Sequence, residues 1–425
     1  MSKSRRALDM SLSLYRSLPN NGDTFRLAEL QPGREGDPVV LTLLPKLLSQ
    51  GDDYEALSYV WSSAENEAKV LVNGMHVPIR RSLFEFFTVL RSSKQPRLLY
   101  ADAICINQVD DKERTQQVRL MQDIYKNASK VLAWLGPGSP ATDLLLRVAA
   151  TTSAGDYSPN GSGENDGGTW RRPPEADDPS VWTSLQATLR LVLDQPYWRR
   201  AWIIQECLLA RQLYFSLGTA QVSWDSFSSA HMMLLEKRPV ARGYTWGYLY
   251  DTITRFDHLA GLKNRSHEFP IPLSGIVRRF SAAESTDPRD MIFAFSALVA
   301  ELQPGHPGGL EVDYGLSTVS LYFRAGYASL ISDSRPLPHR TLHGLRTMLR
   351  LTSLELLETV MALIDPDELL SAVSWLVGDW DPQSTPQGRT FRDERKHEGL
   401  AYIDCHVADF STLVRLLNEK ERAGR

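Results

Sequence analysis

The sequence predicts an α/β fold with a mostly parallel sheet flanked by helices, followed by a mainly helical C-terminal extension. Short apolar runs at Tyr54 ("YEALSYVW"), Arg97 ("RLLYADAICI") and Lys130 ("KVLAWLG") have the composition of strands buried in a sheet. Stretches of helical periodicity separate these runs, and that alternation is the pattern of a parallel sheet. Beyond about Gly243 the apolar spacing is mostly helical, most clearly in "DPRDMIFAFSALV" from Asp287 and "LTSLELLETVMALI" from Leu351.

The elements follow in order. "YEALSYVW" is the first core strand and ends in polar "SSAENE", as a strand entering an exposed loop would. "KVLVNGMHVPI" sets Asn73 and Gly74 between two apolar runs, which predicts a hairpin with a two-residue turn. Leu83, Phe86, Phe87 and Leu90 have helical spacing, and "RLLYADAICI" is the next strand. "DDKERTQQVRLMQDIYKNA" is an amphipathic helix that buries Val118, Met121, Ile124, Tyr125 and Ala128; its Asp110, Asp111, Glu113 and Arg114 read as a solvated first turn. "KVLAWLG" is a strand closed by Gly136 and Pro137.

Residues 151 to 178 are rich in Gly, Ser, Pro and Asp and lack periodicity, so an exposed insertion is expected there. A helix over Ser180 to Leu193, the segment "YWRRAWIIQECLLA", a strand "QLYFSLG" and a helix "SWDSFSSAHMMLLEK" continue the α/β pattern. The resulting division is a lead-in over 1–50, an α/β domain over 51–242 and a mainly helical region over 243–425.

Composition narrows the function classes. The 425 residues are 42% hydrophobic and 23% charged, as in a soluble globular protein, and exceed what one core usually serves. A formal net charge of -4 supplies no basic field for nucleic acid phosphates. Three scattered cysteines, Cys105, Cys207 and Cys405, make neither a disulfide framework nor a four-ligand zinc site. No secretory leader and no long apolar run is evident, so the expectation is a cytoplasmic chain with no membrane span. The P-loop, HExxH and GxSxG signatures are absent, the "GPG" at Gly136 reads as a plain turn, and no metal site is expected.

One segment holds candidate chemistry. At about 100° per residue, Trp198, Trp202, Gln205 and Glu206 fall in one helical sector of an otherwise apolar helix. Either Glu206 pairs with Arg199, Arg200 or Arg114, as buried carboxylates usually do, or it stands in an aromatic-walled cleft where it stabilises an oxocarbenium ion. A substrate with a cationic leaving group such as nicotinamide would need no second carboxylate.

Three ordered segments resemble the fungal heterokaryon-incompatibility (HET) domain family: "YEALSYVWS", "YADAICINQVDDKERTQQVRLMQDIYKNASKVLAWLG" and "PYWRRAWIIQE". Ser62, Tyr100 and Trp198 stand where glycine, tryptophan and phenylalanine are usual. The family is distantly similar to TIR domains, which implies a TIR-like (flavodoxin-like) arrangement. Trp202 and Glu206 match the box that carries the NAD-cleaving glutamate of TIR enzymes.

The resemblance thus implies Glu206 as the catalytic residue of an NAD+ hydrolase, with NAD+ as substrate and no cofactor. It implies Ser58, Tyr59, Trp61, Asp102, Asn107, Gln108, Trp198, Arg200 and Trp202 as substrate-binding residues. For Asp102, Asn107 and Cys105 the residues themselves equally allow a turn cap, a left-handed loop residue and a small buried residue. The family also implies a role in cell death, assembly into a homo-oligomer and a partner protein as a candidate trigger. The alternative is a non-enzymatic module that self-associates and signals through protein contacts.

Overall fold

The computed structural model describes residues 22–61, 67–152, 178–235, 247–264, 269–303, 310–333 and 339–352, with residues 14, 15, 18, 19, 157, 158, 169, 170, 305, 306, 355 and 356. The greater part of the insertion expected over 151–178, and most of the helix expected from Leu351, lie outside them. So do Ser62 and Cys405. The chain divides into two compact units, Met1–Asn264 and Arg265–Arg425.

The first unit is built on a nine-stranded sheet. Its strands are β1 (Thr24–Leu30), β2 (Val40–Leu47), β3 (Glu55–Ser58), β4 (Glu67–Val72), β5 (Met75–Arg80), β6 (Arg97–Tyr100) and β7 (Lys130–Trp134). A separate short pair, β8 (Tyr157–Ser158) and β9 (Thr169–Trp170), precedes the last two sheet strands, β10 (Leu213–Leu217) and β11 (Ala220–Ser223). The spatial order is β11-β10-β7-β3-β6-β1-β2-β4-β5. Only β10, β7, β3 and β6 form a continuous parallel block; β1, β2, β4, β5 and β11 enter antiparallel pairings, and β2 and β4 pair in parallel.

The sheet is therefore mixed rather than mostly parallel. The difference arises largely before Gly51, where "TFRLAEL" and "VLTLLPKL" form two full strands that the sequence reading did not assign. Long apolar crossovers mark parallel neighbours clearly, whereas a short antiparallel return such as β1 to β2 carries no comparable signal.

The helices of this unit are α1 (Arg81–Leu90), a single turn α2 (Asp102–Cys105), α3 (Asp111–Asn127), α4 (Pro140–Thr151), α5 (Pro179–Leu193), α6 (Trp202–Leu209), α7 (Trp224–Leu235) and α8 (Gly247–Lys263). Asn73 and Gly74 both have positive φ, 50° and 79°, and make the β4–β5 turn as their identities require. α1 buries Leu83, Phe86, Phe87 and Leu90. "RLLYADAICI" is a strand only to Tyr100; it then turns helical at Asp102, whose carboxylate accepts the Ala103 N–H at 2.8 Å.

Two sets of ions hold this framework. Glu55 opens β3 and binds Arg97 of β6 and Lys130 of β7, so one carboxylate ties three adjacent parallel strands at their start. Asp110 caps α3, accepting from the Lys112 and Glu113 N–H groups. Glu113 is not part of a solvated turn. Both of its oxygens accept from Arg26 of β1, at 2.5 and 3.0 Å, and Oε1 also accepts from the Asn107 N–H. Arg26 is 2% exposed and also donates to the Cys105 carbonyl at 3.2 Å. One turn along, the buried Gln117 donates to the Thr24 carbonyl.

In the second unit, α9 (Leu273–Phe280), a short α10 (Asp290–Phe293), α11 (Thr318–Asp333) and α12 (His339–Met348) follow in order. The buried Glu301 carboxylate accepts from the Leu273 N–H at the start of α9. Gly344 lets α12 approach α9, since a Cβ there would come 2.4 Å from Val277. Arg289 grips Asp287 with two nitrogens and donates to the Tyr314 and Leu316 carbonyls, joining "STDPRDMIFAF" to "VDYGLSTVSLY".

Arg26→Ala strands Glu113 in the interior, so a loss of about 3 to 5 kcal/mol is expected in urea unfolding. The double variant with Glu113→Ala is expected to lose less than the sum of the two single changes.

Candidate functional site at the end of the central strand

The parallel block reverses direction around β3. From β3 the chain crosses to β6 on one side, then returns to β7 on the other, and β10 extends that side. Such a reversal leaves a crevice at the carboxyl ends of the strands. β3 ends at Ser58, opposite Ala133 of β7, and Tyr100 ends β6.

Ser58 reaches the residue that dominates this edge. Its hydroxyl donates a short hydrogen bond to Glu206 Oε2 and lies 2.8 Å from the Tyr197 hydroxyl. Tyr197 in turn lies 3.4 Å from Cys207 Sγ. All four side chains are buried, and Glu206 is 1% exposed. α6 brings Glu206 here because it is apolar nearly all round and must sit inside, and because Lys263 of α8 caps its C-terminal end by donating to the Cys207 and Ala210 carbonyls.

Neither reading of Glu206 from sequence describes its surroundings in full. Among the described residues it forms no ion pair: Arg199 binds Asp194, Arg114 binds Asp111, and Arg200 donates to the Tyr59 carbonyl. No open aromatic cleft surrounds it either. Trp198 is not on the same helix, because Pro196–Arg199 is a 3-10 turn that ends before α6 begins at Trp202. The Trp198 indole donates to the Val192 carbonyl and packs against Phe215, Phe227 and Phe256, deep in the core. Trp202 is half-buried.

Burial is the main influence on the Glu206 carboxyl. It pushes the pKa up to about 7; Arg200 and the Ser58 hydrogen bond oppose the rise, and Asp102 adds to it. Burial also opposes the Arg200 charge, but Glu206 and Asp102 outweigh it and keep the guanidinium protonated. Burial pushes the Cys207 thiol up to about 12 and the Tyr197 hydroxyl well above its ordinary range, so both stay neutral. The Tyr100 hydroxyl and both amide atoms of Gln205 are buried with no hydrogen-bond partner among the described residues.

Of the remaining predicted site residues, Tyr59, Asp102 and Gln108 form a second polar group. The Tyr59 hydroxyl donates to Asp102 at 2.7 Å, and Gln108 donates to the Asp102 carbonyl at 3.0 Å. Asn107 contributes its backbone N–H to Glu113, and Trp61 stands 37% exposed just past the strand. Sequence reasoning missed Tyr197, Tyr100, Tyr125, Arg26 and Glu113. A tyrosine in an apolar motif and an arginine in an apolar strand each demand a buried partner, and that demand was the available signal. Tyr125 meets it by donating to the Leu57 carbonyl, one residue before Ser58.

Among the described residues, no group of three His, Cys, Asp or Glu side chains is placed to hold a metal ion, and no helix is long and apolar enough to cross a membrane.

These features define an α/β domain with a buried, titratable carboxylate at the strand-order reversal. Residues 54–206, the span from β3 to Glu206, match the sequence model of the family described as "Heterokaryon incompatibility protein (HET)", and this segment belongs to that family. The chain is also 26% identical over 238 residues to Heterokaryon incompatibility protein 6, OR allele, of Neurospora crassa. That alignment covers 48% of this chain and 35% of the relative, so the chain spans about a third of its length. No solved structure gives a match.

The raised carboxyl makes stability depend on pH. Its folded pKa of about 7 exceeds the unfolded value of 4.5, so its contribution is full below 4.5 and lost as pH rises through 7. Glu206→Gln is expected to be more stable than wild type by about 3 kcal/mol at about pH 8, with the gap closing toward pH 4.5. Denaturant unfolding across this range checks it; a gap independent of pH contradicts the burial of an unpaired carboxylate.

Proposed function

We propose that this chain is a cell-death effector of the heterokaryon-incompatibility kind, and that its α/β domain hydrolyses NAD+ at Glu206. The observation that carries the reading is a carboxylate without an ion-pair partner among the described residues, fixed by Ser58 at the carboxyl edge of the parallel block. Two further features support it. The order β6-β3-β7-β10 corresponds to the 2-1-3-4 order of flavodoxin-like sheets, which bind ligands at this reversal. The "WIIQE" segment resembles the TIR box, with Trp202 and Glu206 in the matching positions.

The chemistry asks little of the protein. Nicotinamide leaves as a neutral base when its bond to the ribose carbon breaks, so no general acid is required. The positive charge left on the ribose is stabilised by ionised Glu206, and water attack gives ADP-ribose, nicotinamide and a proton. Arg200, Asp102, Asn107, Gln108 and Trp61 are the side chains at hand to orient a nucleotide. Because Glu206 is closed off in this structure, the reading includes an opening step, assigned to self-association or to a partner protein.

That closure also favours a second reading, in which the buried polar group is structural and the domain kills through protein contacts alone. Incubating the assembled full-length protein with NAD+ separates the two. Nicotinamide release is expected from wild type, and a fall of at least about 100-fold from Glu206→Ala. An assembled wild-type protein that kills cells and releases no nicotinamide supports the second reading.

A further inference from the structure

The hydrogen bonds that begin at Glu206 return to its own helix. Oε2 meets the Ser58 hydroxyl, Ser58 meets the Tyr197 hydroxyl, and Tyr197 meets the thiol of Cys207, the next residue along α6. None of the three is solvated, so each hydroxyl hydrogen on them must find an acceptor inside this chain of groups.

Counting donors gives two arrangements that use all three contacts. With Glu206 charged, Cys207 S–H donates to Tyr197, Tyr197 O–H to Ser58, and Ser58 O–H to Oε2. With Glu206 neutral, the carboxyl O–H donates to Ser58, Ser58 to Tyr197, and Tyr197 to the Cys207 sulfur. The charged arrangement leaves no donor stranded, and the neutral one leaves only the Cys207 S–H, a weak donor, without an acceptor in the set. They interconvert when Oε2 gains or loses one proton exchanged with solvent and the hydroxyl and thiol hydrogens rotate; no proton moves along the chain.

We infer that Ser58, Tyr197 and Cys207 are a reversible hydrogen-bond relay that lets Glu206 exist either charged or neutral inside a closed site. Cys207 and Tyr197 keep their protons in both arrangements, because burial holds both groups neutral at physiological pH. The surrounding groups bias the balance. Arg200 favours the charged form, Asp102 the neutral form, and the Tyr59, Tyr100 and Tyr125 hydroxyls and Lys263 complete the titratable set around Glu206 and the relay. The consequence is a carboxylate that the closed site holds in either form near neutral pH, and that opening, by returning water to it, shifts toward the anion. This inference does not rest on the NAD+ reading, since it concerns the protonation of Glu206 whatever ligand the site takes.

The relay makes predictions of opposite sign. Ser58→Ala removes a bond from both forms, and because the bond to the charged carboxylate is the stronger of the two, the Glu206 midpoint is expected to rise by about one pH unit. Tyr197→Phe removes the acceptor that Ser58 needs when Glu206 is neutral, so the midpoint is expected to fall. Ser58→Thr keeps the hydroxyl and is expected to restore the wild-type value.

Infrared difference spectra of the full chain across a pH series read this directly, with the protonated carboxyl band assigned by its loss in Glu206→Gln. Midpoints that stay put, or that move in the same direction in Ser58→Ala and Tyr197→Phe, overturn the relay. If Ser58→Ala does not fold, Tyr197→Phe and Ser58→Thr decide between the same outcomes. A wild-type protein with no band that Glu206→Gln removes also overturns it.

Discussion

A carboxylate taken out of water, with no ion pair among the described residues, is the constraint around which the end of the central strand is arranged. An isolated buried charge is costly enough that a group in this position is normally neutralised, paired or heavily hydrogen-bonded. Glu206 has one hydroxyl donor, a guanidinium beyond ion-pair distance, and a second carboxyl nearby that works against it. Stability alone would favour an apolar residue here. Places where a chain breaks its own packing rules in this way are commonly functional ones.

The rest of the domain keeps this arrangement rigid. Glu55 fixes three strands at their start, and Tyr125 fixes α3 to β3 immediately before Ser58. The Arg26–Glu113 fork does the same for the loop that leaves β6, joining β1, α2 and α3 through one buried ion pair. Asp102 and Gln108 belong to that loop, so their position beside Glu206 depends on a contact that starts almost eighty residues earlier, in β1.

Much of the parallel block was legible in the sequence. The runs at Tyr54, Arg97 and Lys130, the Asn73–Gly74 turn and the stripe of α3 are strong local signals, and each appears as an element. What was hidden depended on pairing between distant segments. β1 and β2 look like any short apolar runs until β1 adds to β6 and β2 to β1. Glu113 looks like a favourable charge at a helix start until Arg26 arrives from β1. Glu206 itself was visible as a polar exception on an apolar helix. Its surroundings were not, because the 3-10 turn at Pro196 rotates Trp198 into the aromatic core, and a steady 100° per residue cannot anticipate that break.

The central claim is that Glu206 titrates near neutrality inside a closed site with Ser58 as its only direct donor among the described residues. A neutron structure of the deuterated protein at about pH 6 and again at about pH 8 tests it most directly. The account predicts a deuteron on the Glu206 carboxyl in the first and none in the second, where the Ser58 deuteron points at Oε2. An ionised Glu206 at both pH values, with the Arg200 guanidinium closed onto it, would contradict the account.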